Sequence, residues 1–117
     1  IKLTVEDIDD IMVAALEGGV NYWCSEAEVV EERRCADWGH EQIARGGALI
    51  LHDAENFNEN WELNLENFLT GFKLWVENGL DEYGAVQKDG TVDCGEIDAA
   101  CADEIVQLAL FGEIVYC

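Results

Sequence analysis

Apolar residues near the start of the chain recur at the spacing of one helix face. Thr4 precedes this stripe, and Asp7 stands three residues after Thr4, which is the spacing of a capping box. The glycine pair at 18–19 favours a helix end. The pattern therefore predicts a first helix from Thr4 to this pair. Its apolar face consists of Ile8, Ile11, Met12, Ala15 and Leu16.

Two later segments show the same helical spacing of apolar positions. One covers 64–78, with Asn64 as its N-cap and a glycine directly after it. The other covers 98–111 and is followed by Gly112, a typical C-cap residue. A shorter helix is predicted over 37–45, before a second glycine pair.

Short runs of β-branched and aromatic residues predict the strands. Polar residues 55–60 separate the third run from the fourth, and these two are expected to pair as a hairpin. Residues 80–96 are rich in Gly and Asp and are expected to form a loop. The runs are Val20–Cys24, a short one around Val29-Val30, Ala48–His52, Trp61–Leu63 and Glu113–Cys117.

Together these elements predict an α+β fold. Three or four helices are expected to pack on one face of a small, mostly antiparallel sheet. No internal repeat, linker-like stretch or proline interrupts the chain. Because 117 residues is the length of one ordinary domain, residues 1–117 are expected to form a single domain.

The charge of the chain changes this picture most. It carries 26 Asp and Glu against six Lys and Arg, a formal net charge of −20. Half of its residues are hydrophobic, so we expect a folded domain despite this charge. Most carboxylates must then lie unpaired on the surface. Nucleic acids and anionic membranes are disfavoured as direct partners, because binding either requires clustered Lys and Arg.

Cysteine usage indicates the expected compartment. The chain has five cysteines, an odd number that favours free thiols over a disulfide framework. No segment has the pattern of a secretory signal, and no apolar run reaches the ~18 residues of a membrane span. The cytoplasm, where thiols stay reduced, is therefore the expected location.

Catalytic and zinc-binding motifs are incomplete in this chain. His40-Glu41 opens like a zinc-protease motif, but Ala44 stands where the second histidine belongs. His40 and His52 are the only histidines, and no Cys-x-x-Cys pair exists. Nucleotide-binding and hydrolase motifs are absent as well. We therefore expect no enzyme activity and no cofactor, and no metal apart from one weak calcium motif.

That calcium motif lies in the predicted loop over 80–96. Asp89, Gly90, Asp93 and Glu96 match the second half of an EF-hand loop, where they would occupy positions five, six, nine and twelve. Position one falls on Ala85, so a principal carboxylate ligand is missing. The alternative interpretation is an Asp-Gly turn before a helix.

Tyr22 and Trp23 follow the first glycine pair and are open to two interpretations. One is a turn followed by a core strand. The other is that the two aromatic side chains are exposed and anchor an interface. A homodimer is a further alternative at this stage.

Three segments carry a resemblance to a known group of proteins. They are 3–24, which contains EDIDDIM and ALEGG-x-NYWC, then 41–47 and 105–113. In these segments the chain is similar to small acidic proteins of phages and prophages in Gram-positive gut bacteria. Residues 25–40 depart from that pattern. The resemblance implies a mobile-element origin and a bacterial host cytoplasm, and it assigns no functional residue.

The leading hypothesis is an acidic inhibitor of the DNA-mimic or anti-CRISPR type. Its carboxylates would replace phosphates on a basic, nucleic-acid-binding surface of a host defence enzyme. Carboxylates about 7 Å apart along a ridge would match the phosphates of one nucleic-acid strand, whose axial rise is ~3.4 Å per nucleotide. A calcium-binding or regulatory module and an acidic structural phage protein are the alternatives. The predicted contact residues are Glu6, Asp7, Asp9, Asp10, Glu26, Glu28, Glu31 and Glu32.

Overall fold

A computed structural model describes residues 1–117. The chain forms three α-helices and one three-stranded sheet, which confirms the α+β class. A π-helical turn continues the first helix, and four short 3-10 turns lie in the connections. The elements are α1 (Val5–Ala14), β1 (Cys24–Val29), β2 (Ala48–Asp53), β3 (Asn60–Asn64), α2 (Leu65–Glu77) and α3 (Ala99–Phe111).

The sheet is antiparallel throughout, in the order β1-β2-β3. Its β2–β3 pair is the predicted hairpin, in which Leu49 lies opposite Leu63 and both are fully buried. Side chains alternate between the two faces of a strand. Ile50 and His52 therefore lie on the outer face, and Leu49 and Leu51 lie on the inner face, against the core.

The helices pack on the inner face of the sheet and enclose one hydrophobic core. α2 packs along α3, and Phe68, Phe72 and Trp75 of α2 are buried. Leu69 of the same helix is 42% exposed because it lines an open groove beside Leu3. None of the helices combines the length and the apolar character needed to cross a bilayer.

The predicted helix starts are confirmed by their capping contacts. Thr4 and Asp7 exchange backbone-to-side-chain hydrogen bonds of 3.0 and 3.1 Å, and Asn64 and Asn67 form the same arrangement at the start of α2. After Ala14 the first helix widens into the π-helical turn, which ends at Gly19. A Cβ atom on Gly19 would lie 2.5 Å from the carbonyl oxygen of Ala99, so only glycine fits where α3 begins.

The predicted strand over Val20–Cys24 is wrong. The backbone amides of Trp23 and Cys24 donate to the carbonyl of Val20 at 3.1 and 2.8 Å. This helical type of turn uses amides that a strand would offer to its neighbour. β1 begins only at Cys24 and runs through the polar residues to Val29, so it includes part of the second predicted run.

The predicted helix over 37–45 is replaced by two 3-10 turns, Gly39–Glu41 and Ile43–Arg45. Gln42 is fully buried next to them. Its Nε2 donates to the carbonyl of Ala36 at 2.8 Å and to that of Trp38 at 2.9 Å. Because this one side chain pairs with the local backbone, the segment does not need a continuous helix to satisfy its carbonyl groups.

The predicted terminal strand over Glu113–Cys117 is wrong for a similar reason. The backbone amides of Val115 and Tyr116 both donate to Oε1 of Gln107 at 2.8 Å. Nε2 of Gln107 donates to the carbonyl of Tyr116 at 3.1 Å. A buried side chain of α3 thus takes the place of a neighbouring strand, and β1 and β3 remain the edges of the sheet.

Glu104 on α3 is a carboxylate whose charge is disfavoured by its position in the fold. Partial burial raises its pKa, and the carboxylates of Glu82, Asp103 and Asp98 act in the same direction, against the hydrogen bond from Trp75. An acid whose pKa is higher in the folded chain than in the unfolded chain stabilises the fold below the unfolded pKa. This stabilisation is lost as pH rises through the folded pKa. At neutral pH the charge of Glu104 is therefore destabilising.

We expect Glu104→Gln to raise the free energy of unfolding by about 0.5 kcal/mol at pH 7, since glutamine keeps the acceptor for Trp75 and removes the charge. The gain should shrink as pH falls below the ordinary glutamate pKa of ~4.3, because the side chain becomes neutral in both the folded and the unfolded chain. Urea unfolding at neutral pH and below this pKa measures this difference. Glu113→Gln removes an exposed charge as a control. An equal gain from both variants would show that only net charge matters.

Candidate functional site

The outer face of the sheet brings carboxylates of β1 next to the histidine of β2. In the β1–β2 pair, Glu26 lies opposite His52 and Glu28 lies opposite Ile50. Glu26 and Glu28 are two residues apart and therefore share the outer face. A register irregularity between Cys24 and Glu26 leaves Cys24 buried and both glutamates exposed.

His52 is buried even though it belongs to this outer face. Phe57, from the connection between β2 and β3, stacks on the imidazole with ring centroids 4.1 Å apart and planes inclined by 2°. Nδ1 of His52 lies 3.2 Å from the carbonyl oxygen of Phe57, and Nε2 lies 3.1 Å from Oε1 of Glu28. The hydrogen bond with Glu28 raises the pKa of His52.

Glu26, Glu28 and His52 form one compact group of donor atoms. One carboxylate oxygen of each glutamate and a ring nitrogen of His52 lie within 4.8 Å of one another. The two carboxylates converge on the histidine, so they do not make a step of the ~7 Å that a phosphate-like ridge requires. Imidazole nitrogen and carboxylate oxygen are zinc ligands, so this arrangement is chemically able to hold such an ion.

The acids predicted on the first helix have two different roles. Asp7 accepts the N-cap amide at 3.0 Å, and Asp9 forms an ion pair with Arg45 at 2.9 Å. Both side chains are thus occupied by contacts within the fold. Glu6 and Asp10 are exposed and form no ion pair, so these two remain available to a partner.

Glu31 and Glu32 lie in the 3-10 turn directly after β1. Glu31 accepts two hydrogen bonds from Arg34, at 2.8 and 2.9 Å, and Glu32 is exposed without an ion pair. A groove of about 250 Å³ runs along this edge of the sheet, and Glu28, Glu31, Glu32 and Ile50 contribute to its walls. The structure therefore brings the predicted acids of 26–32 to one edge.

Few carboxylates of the chain have a basic partner. Four of the 26 lie within 4.0 Å of a Lys or Arg nitrogen. These pairs are partly or largely exposed, so solvent screens them and they add little to stability. The folded surface is therefore strongly anionic, as the composition predicts. The four pairs are Arg33–Glu62, Arg34–Glu31, Arg45–Asp9 and Lys73–Glu77.

The hypothesis that Trp23 is an exposed interface residue is wrong. Trp23 is only 2% exposed, its Nε1 donates to Asp103 at 2.8 Å, and its ring stacks on Tyr116 with centroids 5.0 Å apart. Tyr22 is 53% exposed, but its hydroxyl donates to Asp103 at 2.6 Å. Partial burial and this hydrogen bond raise the pKa of Tyr22 to about 12. Only the ring of Tyr22 is free for a partner.

The carboxylates of the three predicted calcium residues do not lie together. The carboxylate of Asp89 accepts the amide and the hydroxyl of Thr91, at 3.0 and 2.6 Å, around Gly90, whose φ is +88°. Asp93 instead accepts the amide of Gly95 at 3.0 Å and begins a 3-10 turn. These contacts are those of the Asp-Gly turn, the alternative interpretation of this segment.

All five cysteines are free thiols, and three of them are protected. Burial raises the pKa of Cys24, and it raises the pKa of Cys101 to about 12. Burial, and then the charge of Asp7, raise the pKa of Cys94 to about 12. These thiols stay protonated at neutral pH, which disfavours a thiolate nucleophile. Cys35 and Cys117 are exposed.

Comparison with models of protein families, with curated proteins and with solved structures finds no match. The outer face is therefore interpreted from its own geometry. Sequence reasoning identified Glu26 and Glu28 but did not connect them with His52. The alternation of acids in 26–28 was an available signal, but it does not reveal the residue opposite.

Proposed function

We propose that this chain is an acidic binding protein that occupies a basic, nucleic-acid-binding surface of another protein. The observation that carries the proposal is a net charge of −20 on a folded domain, with only four of 26 carboxylates next to Lys or Arg. We include in the proposal a phage origin, a host defence enzyme as the partner and a bacterial cytoplasm. The resemblance of segments 3–24, 41–47 and 105–113 supports that part.

The electrostatic argument concerns attraction at a distance as well as contact. Unpaired surface carboxylates produce a negative potential over much of the domain, and this potential accelerates encounter with a cationic groove. The attraction is screened over about 8 Å at physiological ionic strength, so binding of this kind weakens as salt is added. A partner evolved to hold phosphates offers the complementary potential.

The contact surface that we propose is the acidic edge, defined as Glu26, Glu28, Glu31 and Glu32. β1 is an edge strand, so its acids meet a partner without a further strand in between. The exposed Glu6 and Asp10 of α1 extend the anionic surface. Charges on an edge strand also prevent unwanted pairing with a strand of another molecule. This structural role is the alternative to partner binding for the same residues.

Salt-dependent capture followed by DNA displacement tests this function. The immobilised chain is incubated with a nuclease-treated lysate of a Gram-positive bacterium at low and at high salt. We expect capture of a DNA- or RNA-binding protein at low salt and its release at high salt, because screening weakens the contact. The purified captured protein should then release labelled nucleic acid when the chain is added. Failure to displace nucleic acid would contradict the proposal.

Matched charge variants separate a defined surface from net charge alone. Glu31→Gln with Glu32→Gln removes two charges of the acidic edge, and Glu17→Gln with Glu113→Gln removes two exposed charges elsewhere. We expect the first pair to weaken displacement about tenfold and the second pair to change it less than about twofold. Equal losses would favour the alternative of a protein that is acidic for solubility.

A further inference from the structure

We propose that Glu26, Glu28 and His52 bind a zinc ion on the outer face of the sheet. The site lies across two strands, because the glutamates come from β1 and the histidine comes from β2. The proposal rests on the arrangement of these donors and does not depend on the proposed function.

The two nitrogens of His52 face oxygen atoms that can only accept hydrogen bonds. Nδ1 faces the carbonyl of Phe57 at 3.2 Å, and Nε2 faces the carboxylate of Glu28 at 3.1 Å. A neutral imidazole carries one proton, which satisfies one of these contacts and leaves a lone pair against the other oxygen. A positive charge at Nε2, carried by a second proton or by a metal ion, removes this conflict, and only the metal ion can also bind the carboxylate of Glu26.

The contact of Nδ1 with Phe57 orients the ring for such a role. Histidines that bind metals usually donate their second ring N–H to a carbonyl or carboxylate, which leaves the opposite nitrogen free to coordinate. Here the carbonyl of Phe57 accepts from Nδ1, and the phenyl ring of the same residue stacks on the imidazole. Both contacts hold Nε2 towards Glu28.

The distances suit zinc after a small adjustment of exposed side chains. Bonds of ~2.0–2.1 Å in a tetrahedron separate ligand atoms by about 3.3–3.4 Å. Nε2 and the Glu28 oxygen are 3.1 Å apart, and the group including Glu26 spans at most 4.8 Å. Glu26 is exposed, so its side chain can rotate inwards. A single proton would be shared by two of these atoms, whereas a metal ion accommodates all three.

Three protein ligands leave one tetrahedral position for water. One nitrogen and two carboxylates are a mixed set that suits zinc better than magnesium, which prefers oxygen ligands. If the imidazole is protonated, zinc displaces that proton to solvent. The bound ion would join β1 to β2 and neutralise two charges of the acidic edge.

Imidazole NMR spectroscopy with zinc as the probe tests the site directly. The chain has only two histidines, so His40 is an internal control. The titration uses a Cys35→Ser, Cys117→Ser background, which removes the exposed thiols as competing ligands. We expect a saturable shift of the His52 Nε2 resonance at one zinc per chain, no shift of His40 and no shift with magnesium. An unchanged His52 resonance would overturn the proposal.

Variants that each change one side chain distinguish zinc ligation from the general attraction of cations to a chain with a net charge of −20. Glu28→Gln and His52→Gln should each lower the zinc affinity by at least about tenfold, measured with a competing chromophoric chelator. Glu17→Gln removes one exposed charge outside the group and should change the affinity less than about twofold. Similar losses for Glu28→Gln and Glu17→Gln would mean that no zinc site exists. The proposed function is tested separately, by the displacement of nucleic acid.

Discussion

Replacing Asp103 with alanine is expected to lower the free energy of unfolding by about 3 kcal/mol. Asp103 is 7% exposed and accepts hydrogen bonds from Tyr22 at 2.6 Å, from Trp23 at 2.8 Å and from Gln107 at 2.9 Å. Alanine would leave the indole N–H of the buried Trp23 without a partner. It would also release Gln107, which holds the C-terminal backbone at Tyr116.

Asp103→Asn is the matched control for this prediction. Asparagine keeps the shape and one acceptor oxygen, while the hydroxyl of Tyr22 can rotate to accept from the new amide. We expect a loss of about 1 kcal/mol for this variant. Urea unfolding monitored by tryptophan fluorescence measures both losses. Equal losses for alanine and asparagine would show that the hydrogen bonds accepted by Asp103 do not stabilise the fold.

Gly71→Ala is expected to lower the free energy of unfolding by about 2–3 kcal/mol. Gly71 lies on α2 where this helix packs against α3. A Cβ atom at this position would lie 2.5 Å from the backbone nitrogen of Ala109 and 2.7 Å from its Cα. Since backbone atoms cannot rotate away, the two helices must separate, and the core to which Phe72 and Leu108 belong loses contacts.

Gly18→Ala controls for the general effect of alanine in a helix. A Cβ atom on Gly18 would come no closer than 4.0 Å to Ala99, which is ordinary van der Waals contact. Alanine also restricts the unfolded chain, so this variant should be neutral or slightly stabilising. Thermal unfolding by circular dichroism compares the two variants. Equal behaviour of Gly71→Ala and Gly18→Ala would refute the close helix contact.

Local signals predicted the three α-helices and their starting residues well, but they also predicted a helix over 37–45 that does not form. Each capping box joins two residues that are three positions apart, Thr4 with Asp7 and Asn64 with Asn67. Both partners of the interaction can therefore be recognised in a short stretch of sequence. The strands were predicted less well. Val20–Cys24 has β-favouring residues, but it forms a turn that places Trp23 against Asp103, which is 80 positions away.

The candidate site shows the same division. The sequence identified Glu26 and Glu28 from their charge alone. It did not connect them with His52, because their proximity depends on the β1–β2 register. The predicted strand over 113–117 fails for a different reason, because its backbone pairs with the side chain of Gln107 instead of a strand. A side chain that replaces a strand has no periodic signature.

Three properties of this protein can be predicted from local sequence patterns and composition: its capped amphipathic helices, the β2–β3 hairpin and a strongly anionic surface. These follow from composition and from contacts between residues close in the chain. The ion pair of Asp9 with Arg45 and the convergence of two glutamates on His52 depend instead on the tertiary structure. Glu28 meets His52 across 24 positions, and such a pair forms only when the register of two strands is set by the whole core.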